Sequence, residues 1–509
     1  MSKLTLLGVF FVFVLAFFLR ILFLKNLALT FGYDQARDAY VAGQILSGDL
    51  KVLGPPASTP GLYHGVFYYY LLAPAYKLGH GSPIFAAGWI ALLNAATVFV
   101  VFYLTYLMTK KTGAGLLAAL LFAVSFEATQ YATWVSNPTI GIWTVPLIYL
   151  GLWVWTREKK NWGAAVAALG LGLSIQSEIF LAYHAIPLVI WLVCSKKSIT
   201  KKQLLLFTFS LLVALSTMIL SEIKFGFKSL EGLRILAFGS GGNLAYARSL
   251  GDYLILYLNQ IGRIFSFNSY PGNIGYGGAF VLVLGLYSLI KKDKVGTFLA
   301  TWLFSHITVV TLGGTSTPFL MVGIGPAVSI LIAYYLYRWW ENRHKIAAVL
   351  VLAALIFGNF SMIIRENPQG ATLFAIQKDM LLSKQLAAID YTYEEAKGEP
   401  FSINSLTSPL WINIVWSYLY KWYGEPKYGY LPSWHGHDQV GQLDSLAKDE
   451  GDIDNYFLIL EPMGGIPPEY LELTIGEEDA LSSLADEKYF GELRVQKRIK
   501  RSLPLRGKI

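Results

Sequence analysis

Residues 4–40 read LTLLGVFFVFVLAFFLRILFLKNLALTFGYDQARDAY, an apolar run followed closely by a short charged stretch. A helix needs about 20 apolar residues to cross roughly 30 Å of hydrocarbon, so residues 4–24 predict a membrane-spanning helix. Lys3 precedes the run and no small-residue cleavage site follows it, which favours an anchor that is retained. The charged stretch from Asp34 to Asp38 is therefore expected immediately after a membrane crossing.

The rest of the chain has the same apolar character. Of its 509 residues, 54% are hydrophobic and only 15% are charged, whereas a soluble domain carries about 25% charged residues. We therefore predict a polytopic α-helical membrane protein. Eleven spans are expected at 4–24, 83–109, 112–132, 138–156, 161–178, 180–195, 203–222, 273–290, 295–313, 318–337 and 346–364. Cys194 is the single cysteine, which excludes a disulfide framework.

Basic residues indicate the orientation of the spans. With the N-terminus inside, the short inner loops contain 16 Lys and Arg residues against three acidic ones. The net charge of +8 thus reflects membrane topology, and nucleic acid is not expected as a partner. The outer side then holds residues 25–82, a second loop near 223–272, and everything from residue 365 onward.

The C-terminal part differs in composition from the rest. From residue 365 there are 22 acidic and 15 basic residues, against 11 and 26 before it. Strand-like runs occur at 401–406 and 456–461, with a helix-like run near 410–423. We expect two domains: a transmembrane domain of residues 1–364 and a small soluble α/β domain of residues 365–509 outside the membrane.

The first outer loop contains the strongest candidate site. Helices lying on the membrane surface are expected near 35–47 and 66–78, separated by the turn-rich GPPASTPG at 54–61. On the first helix Asp34, Arg37 and Asp38 share one face, because they are spaced i, i+3 and i+4. The carboxylate can accept a proton from a hydroxyl and the guanidinium can grip a phosphate. The alternative is that Asp34 caps the helix and the other two form a solvated ion pair.

Other polar residues lie close to the predicted membrane. Ionisable groups at membrane depth usually face a cavity or a partner, although residues near span ends can also sit among headgroups. Arg20 is expected to extend to the interface. The candidates for lining a cavity are Glu127, Glu178, His184, Tyr63 and Tyr69. Basic residues that could contact lipid phosphates or anionic headgroups are Lys224, Lys228, Arg234, Arg248 and Arg263.

No nucleotide-binding, metalloprotease or hydrolase motif is present in the sequence. The motif WHGHD at 434–438 has two histidines, but no further ligand pattern surrounds it. We interpret it as a loop with exposed histidines. No metal site is predicted from the residues.

The stretches YDQARDAY (33–40) and GLYHGVFYYYLLAP (61–74) give the chain a family resemblance. With its one span, long first outer loop and outward tail, the chain resembles the GT-C glycosyltransferases. Within them it is similar to the protein O-mannosyltransferase and lipid A aminoarabinose transferase family. The motifs cover the N-terminal 200 residues, and the remainder matches by architecture.

The resemblance implies roles for individual residues. Asp34 corresponds to the catalytic carboxylate of the family, and Arg37 and His64 correspond to groups that contact the donor phosphate. The family usually has Glu after the Asp, where this chain has Gln35, so Asp38 one turn later is the candidate second catalytic carboxylate. The missing Glu also weakens the case for a bound divalent metal, and no other cofactor is implied.

The implied reaction transfers a sugar from a polyprenyl-phosphate carrier to an acceptor hydroxyl on the outer face, with inversion and Asp34 as general base. Membrane lipids are expected partners, and the acceptor is open between protein, lipid and glycan. A prokaryotic plasma membrane is the expected location. Two alternatives are a transporter or flippase of a lipid-linked sugar, and a non-catalytic membrane scaffold.

Overall fold

Helices dominate the computed structural model, which describes residues 2–57, 61–195, 199–229, 231–232, 249–314 and 316–501. The chain forms two compact units. One, here called the membrane unit, comprises Met1–Leu22, Asp49–Leu71 and Ala87–Pro368. The other, here called the sheet unit, comprises Phe23–Gly48, Leu72–Ala86 and Gln369–Ile509. The first outer loop is thus divided between the two units.

Seven helices among the described residues are long and apolar enough to cross a bilayer, or eight spans if a bent pair is counted as one. The chain is therefore an integral multi-pass membrane protein. In chain order the helices up to residue 366 are α1 (Lys3–Ile21), α2 (Tyr33–Leu46), α3 (Phe67–Leu78), α4 (Pro83–Thr109), α5 (Thr112–Ala123), α6 (Phe126–Thr133), α7 (Gly141–Thr156), α8 (Asn161–Ser177), α9 (Ala185–Cys194), α10 (Lys201–Phe225), α11 (Leu250–Gln260), α12 (Ile274–Lys291), α13 (Lys294–Leu303), α14 (His306–Gly313), α15 (Gly325–Glu341) and α16 (Lys345–Glu366).

Each of the eleven predicted spans overlaps helical structure. The number eleven stays a prediction, because some of these segments are too short to cross a bilayer as straight helices. Two of them, α8 and α15, have 17 residues each. The apolar helix Ile179–Cys194 has 16 residues and begins as a 3₁₀-helix.

The third predicted span is a bent pair, α5 and α6, whose axes differ by 54°. Ser125 begins α6 and its hydroxyl accepts a hydrogen bond from the amide of Ala128. The amide of Phe126 donates to Oδ1 of Asn359 on α16 at 2.9 Å. The break therefore has side-chain partners for its backbone groups, as a bend inside hydrocarbon requires.

Arg20, near the end of α1, does not extend to the interface as predicted. Its side chain is buried and donates to Oδ1 of Asn94 at 2.7 Å and to the carbonyl oxygens of Ala16 and Ala123 at 2.8 and 3.0 Å. The prediction was wrong because the break after α5 supplies a free carbonyl acceptor close to Arg20. The arginine consequently links α1, α4 and the break.

Helices α7 and α8 approach each other so closely that glycines are required at their crossing. A Cβ atom on Gly163 would lie 2.5 Å from the amide nitrogen of Trp155, and one on Gly170 would lie 2.6 Å from that of Ile148. Small residues allow such close backbone approach in membrane proteins, where packing drives helix association. The α7–α8 pair therefore depends on these glycines.

Gly170→Ala is expected to destabilise the protein by about 1–3 kcal/mol, because the added methyl forces two backbones apart. Thermal unfolding of the purified protein in detergent measures the effect. Gly88→Ala on α4 is the matched control, since nothing lies within 4 Å of its Cβ position. Equal unfolding temperatures for the two variants would contradict the packing argument.

The sheet unit contains five strands in the order β2-β1-β3-β5-β4. Strand β1 pairs parallel with β2 and β3, while β5 pairs antiparallel with β3 and β4. The strands are β1 (Phe401–Leu406), β2 (Ser433–Trp434), β3 (Asn455–Leu460), β4 (Ser482–Phe490) and β5 (Leu493–Lys500), and the helices are α17 (Leu382–Ala396), α18 (Ile414–Leu419), α19 (Glu425–Tyr428) and α20 (Glu469–Leu481). The predicted α/β class of this part and the strands at 401–406 and 456–461 are confirmed.

Residues 29–31 attach α2 to this unit through backbone hydrogen bonds. The amide of Phe31 donates to the carbonyl oxygen of Met380 at 3.1 Å, and the amide of Leu382 donates to that of Leu29 at 2.8 Å. Helix α18 packs against α2. The charged stretch of α2 is therefore held by residues that lie more than 340 positions later in the chain.

The histidines of WHGHD differ in exposure from the expectation. His437 is partly exposed and lies 2.9 Å from a carboxylate oxygen of Glu477. The His435 side chain is only 5% exposed, with Nδ1 at 2.9 Å from the Ser402 hydroxyl and Nε2 at 3.1 Å from Oε1 of Glu478. The expectation of two exposed histidines was therefore wrong for His435. Among the described residues, no group of three His, Cys, Asp or Glu side chains is suited to bind a metal ion.

Candidate active site

Helix α2 begins with a side-chain cap that explains Gln35. The backbone of Gly32 is extended, and its amide donates to Oε1 of Gln35 at 3.0 Å. A Glu or Gln at the third helical position satisfies the start of a helix in this way. Gln35 therefore retains the capping role that a Glu could fill. The helix predicted at 35–47 is observed as Tyr33–Leu46, and its place on the membrane surface stays a prediction.

Asp34, Arg37 and Asp38 lie together on one face of α2, as their spacing predicted. The Arg37 Nη1 atom is 2.8 Å from Oδ1 of Asp34. On the other side, Nε and Nη2 of Arg37 lie 2.8 and 2.7 Å from Oδ1 of Asp38. The guanidinium is thus held between two carboxylates, with the Tyr33 ring 5.8 Å away.

The three side chains differ in exposure. Asp34 is 51% exposed, Arg37 is 6% exposed and Asp38 is completely buried. Burial raises the pKa of Asp38 to about 7, although the Arg37 charge opposes the rise and the Asp34 charge adds to it. Asp34 can therefore meet a hydroxyl at the surface. Asp38 is inaccessible in this structure, and its role as a second catalytic carboxylate stays a prediction.

His64 belongs to the membrane unit and lies in a tightly packed loop. A Cβ atom on Gly54 would lie 2.5 Å from the His64 carbonyl oxygen, so only glycine fits there. The amide of Gly65 donates to the carbonyl oxygen of Gln176 at 2.7 Å. The Nε2 atom of Gln176 donates in turn to the carbonyl oxygen of Ala214 on α10 at 2.5 Å. This buried glutamine therefore ties the loop to α8 and α10.

The His64 ring has a defined tautomer. Its Nδ1 atom accepts a hydrogen bond from the amide of Ile179 at 3.2 Å, so in the neutral ring Nε2 carries the proton. Oε1 of Glu178 lies 3.7 Å from the same Nδ1 atom. Sequence reasoning named both residues separately, and the structure brings them together. The His64 Nε2–H group is a donor of the kind that a phosphate oxygen accepts.

Glu178 and Glu127 both have local partners within the membrane unit. Glu178 is buried, and its Oε1 accepts from the amide of Phe180 at 3.5 Å at the start of the 3₁₀-helix Ile179–His184. Glu127 is also buried, with Oε2 at 2.5 Å from Nδ2 of Asn268. Both carboxylates therefore contact packed groups of the protein.

His184 and the two tyrosines complete the predicted set. Nδ1 of His184 lies 2.9 Å from the Tyr149 hydroxyl, and the histidine is completely buried. Tyr69 is buried, whereas Tyr63 is partly exposed and pairs with Pro56 through an isolated β-bridge. A cavity of about 460 Å³ lies between α8 and α10, lined by apolar residues and Glu222. None of the five candidate residues lines that cavity.

Arg234 and Arg248 of the basic second loop lie outside the described residues. Of the others, Arg263 donates to the carbonyl oxygen of Ser316 at 2.9 Å. That contact is structural, and it leaves the predicted lipid-phosphate role of this loop a prediction.

Solved structures with the same architecture are found. ArnT from Cupriavidus metallidurans in the apo state has a TM-score of 0.58 at 11% identity, over 97% of this chain and 97% of that one. The same protein bound to undecaprenyl phosphate has a TM-score of 0.59 at 12% identity, over 98% of each chain. The chain has the GT-C fold of ArnT. The fold class that the first outer loop suggested is therefore confirmed.

The likeness to ArnT is one of structure. No protein-family model matches the chain, and no curated protein sequence matches it either. Within this GT-C fold, sequence reasoning missed Gln176, Asn268 and Asn359, the buried amides that hold the site loop and the bent span. Each is a polar residue within or beside an apolar run, where an unsatisfied amide would be costly. That position is the signal that would have found them.

Proposed function

We propose that the chain is a membrane glycosyltransferase that moves a sugar from a polyprenyl phosphate to an acceptor hydroxyl, with inversion at the anomeric carbon. The observation that supports this function most directly is the Arg37 guanidinium, which lies between an exposed and a buried carboxylate on α2. The likeness to ArnT supports the proposal, because one ArnT structure contains undecaprenyl phosphate. An exposed base beside a cation is what this displacement needs.

The proposed step forms one bond to the anomeric carbon, breaks another and transfers one proton. The acceptor oxygen attacks the anomeric carbon while its proton passes to the Asp34 carboxylate. The bond between that carbon and the phosphate oxygen breaks, and its electron pair leaves with the polyprenyl phosphate. Arg37 stabilises the negative charge that develops on the leaving phosphate. Attack opposite the leaving group inverts the configuration.

Asp38 and His64 have supporting roles in the proposal. Asp38 orients Arg37 from the buried side, through its Oδ1 contacts with Nε and Nη2. His64 belongs to the membrane unit, and its contact with the donor phosphate stays a prediction. The proposed setting is a prokaryotic plasma membrane with the N-terminus inside and α2 at the outer face, where polyprenyl-linked sugars and acceptors meet.

The proposal is tested with membranes from cells that express the protein. Undecaprenyl phosphate carrying labelled glucose, mannose or aminoarabinose is added, and label leaving the donor for another product is measured. We expect one donor to be consumed only in the presence of the protein, and the product linkage to have the opposite anomeric configuration. Retention of configuration, or no consumption of any donor, would contradict the proposal.

A transporter of the lipid-linked sugar is the second candidate. The observation that favours it is the interruption of membrane helices at α5–α6 and α13–α14, since transporters use broken helices at their binding sites. The two functions are separable in sealed vesicles containing purified protein. Movement of labelled donor across the bilayer with its sugar still attached would favour transport over transfer.

A further inference from the structure

Two buried side-chain oxygens of the sheet unit have no hydrogen-bond partner among the described residues. Oδ1 of Asp38 receives both of its Arg37 contacts, whereas Oδ2 has no hydrogen-bond partner among the described residues. The hydroxyl of Tyr76, on the part of α3 that belongs to this unit, likewise has none within that part of the chain. One atom is an acceptor and the other is a donor, so a single buried water could satisfy both.

The two groups lie in one electrostatic environment. Burial raises the pKa of Tyr76 well above its ordinary value, and the neighbouring Tyr418 and Asp38 raise it further. Tyr76 is therefore protonated and remains a donor. The charged and titratable groups that affect Asp38 are Arg37 and Asp34 on its own helix, and Asp38 affects Tyr33 and Tyr76.

Neighbouring residues fix the position of the Tyr76 ring. It packs edge-on against the ring of Tyr418, with 6.5 Å between centroids, and is itself 4% exposed. The Tyr418 hydroxyl donates elsewhere, to the carbonyl oxygen of Gly81 at 2.6 Å. Tyr76 is thus a rigid, buried donor whose hydroxyl is not used by this neighbour.

We propose that Asp38 and Tyr76 form a positioning pair, in which one buried water accepts a hydrogen bond from the Tyr76 hydroxyl and donates one to Oδ2 of Asp38, and keeps Asp38 ionised so that its Oδ1 orients Arg37 toward the donor phosphate. The inference rests on the proposed function and adds two residues that act on the site through Arg37. Neither residue touches the reacting atoms.

The pair can affect phosphate binding because the charge of a buried carboxylate depends on its hydrogen bonds and ionic contacts. Burial favours the neutral form of Asp38, while Arg37 and a hydroxyl donor favour the charged form. With a pKa of about 7, Asp38 changes charge near neutrality, and the protonated form loses its ionic contact with Arg37. Removing the donor raises this pKa further. Phosphate binding should then be lost at a higher pH than in the wild-type protein.

The test follows binding of undecaprenyl phosphate to the purified full-length protein between pH 6 and 9, together with kcat and KM for the transferred donor. Affinity for undecaprenyl phosphate should fall as the pH is lowered, and this fall is called the acidic limb. Tyr76→Phe should move the acidic limb to higher pH, with affinity at pH 6.5 reduced roughly tenfold and affinity at pH 8.5 close to wild type. Asp38→Asn should remove this limb and raise KM roughly tenfold or more, with a smaller effect on kcat.

Tyr418→Phe is the matched control, because it removes a buried hydroxyl from the same cluster that does not point to Asp38. Its binding profile should overlay that of the wild-type protein. If Tyr76→Phe also overlays the wild type, or weakens binding equally at every pH, the positioning pair is overturned. Wild-type protein that binds undecaprenyl phosphate but transfers no sugar would instead overturn the proposed function and leave the pair supported by its pH shift.

Discussion

Asp34→Asn is expected to lower kcat for sugar transfer by about 10²–10⁴-fold, the range that a general base contributes. Asparagine has nearly the same shape but cannot accept the acceptor's proton. Asp34 is the exposed one of the two carboxylates that contact Arg37, so it is the carboxylate that a hydroxyl can approach. Because Asp38 still holds Arg37 from the buried side, donor affinity should change far less than kcat. Single-turnover transfer with saturating donor measures the effect.

Asp49→Asn provides the matched control. Asp49 is an exposed aspartate in an ion pair with Lys51, also in the first outer loop. Its substitution should leave transfer within about twofold of wild type, as for surface ion pairs of low energy. Near-normal kcat for Asp34→Asn would remove the base from the mechanism and leave Arg37 as the functional centre of α2.

Arg37→Lys is expected to raise KM for the donor and lower kcat together, reducing kcat/KM by about 10²–10³-fold. A guanidinium can contact two carboxylates and a phosphate through separate N–H groups in one plane, whereas an ammonium is a single point charge. The side chain is almost completely buried between Asp34 and Asp38, so lysine would also leave the Asp38 carboxylate without its second contact. Steady-state kinetics over a range of donor concentrations separates the two parameters.

Arg365→Lys is the control for loss of a guanidinium in general. Arg365 is largely exposed and pairs with its neighbour Glu366 at the end of α16. Transfer by this variant should be unchanged. If both arginine variants keep wild-type kcat/KM, Arg37 does not bind the donor phosphate.

The membrane helices could be predicted from the sequence because apolar runs report burial in lipid or protein directly. Helix α10, for example, was expected at 203–222 and is observed at Lys201–Phe225. The bend between α5 and α6 could not be predicted, since no proline or glycine occupies the break. Its partner Asn359 lies 233 residues later, and no local pattern indicates such a contact.

The sheet unit was predictable where its strands are apolar. Strands β1 and β3 consist largely of buried residues and were recognised, whereas β4 and β5 carry many charged residues and were not. β4 lies at the edge of the sheet, and most of its residues are exposed. An exposed strand lacks the apolar alternation on which recognition depends.

For the candidate site, sequence spacing placed Asp34, Arg37 and Asp38 on one helix face, and the structure agrees. Spacing could not reveal that Asp38 is buried while Asp34 is exposed. That difference depends on tertiary neighbours of α2, including Tyr76 and helix α18, which are remote in sequence. The resemblance to GT-C enzymes named His64 as a candidate, but its contact with Ile179 and its proximity to Glu178 required the structure.

The bent pair α5–α6 has a consequence for biosynthesis. The amide of Phe126 uses Asn359, Glu127 uses Asn268, and Gln130 donates to Asn367 at 2.8 Å. During translation the partner of Glu127 is made 141 residues later, and those of Phe126 and Gln130 are made 233 and 237 residues later. The nascent α5–α6 segment therefore lacks these hydrogen bonds when it is first made. It reaches its final conformation only after the last membrane helix has left the ribosome.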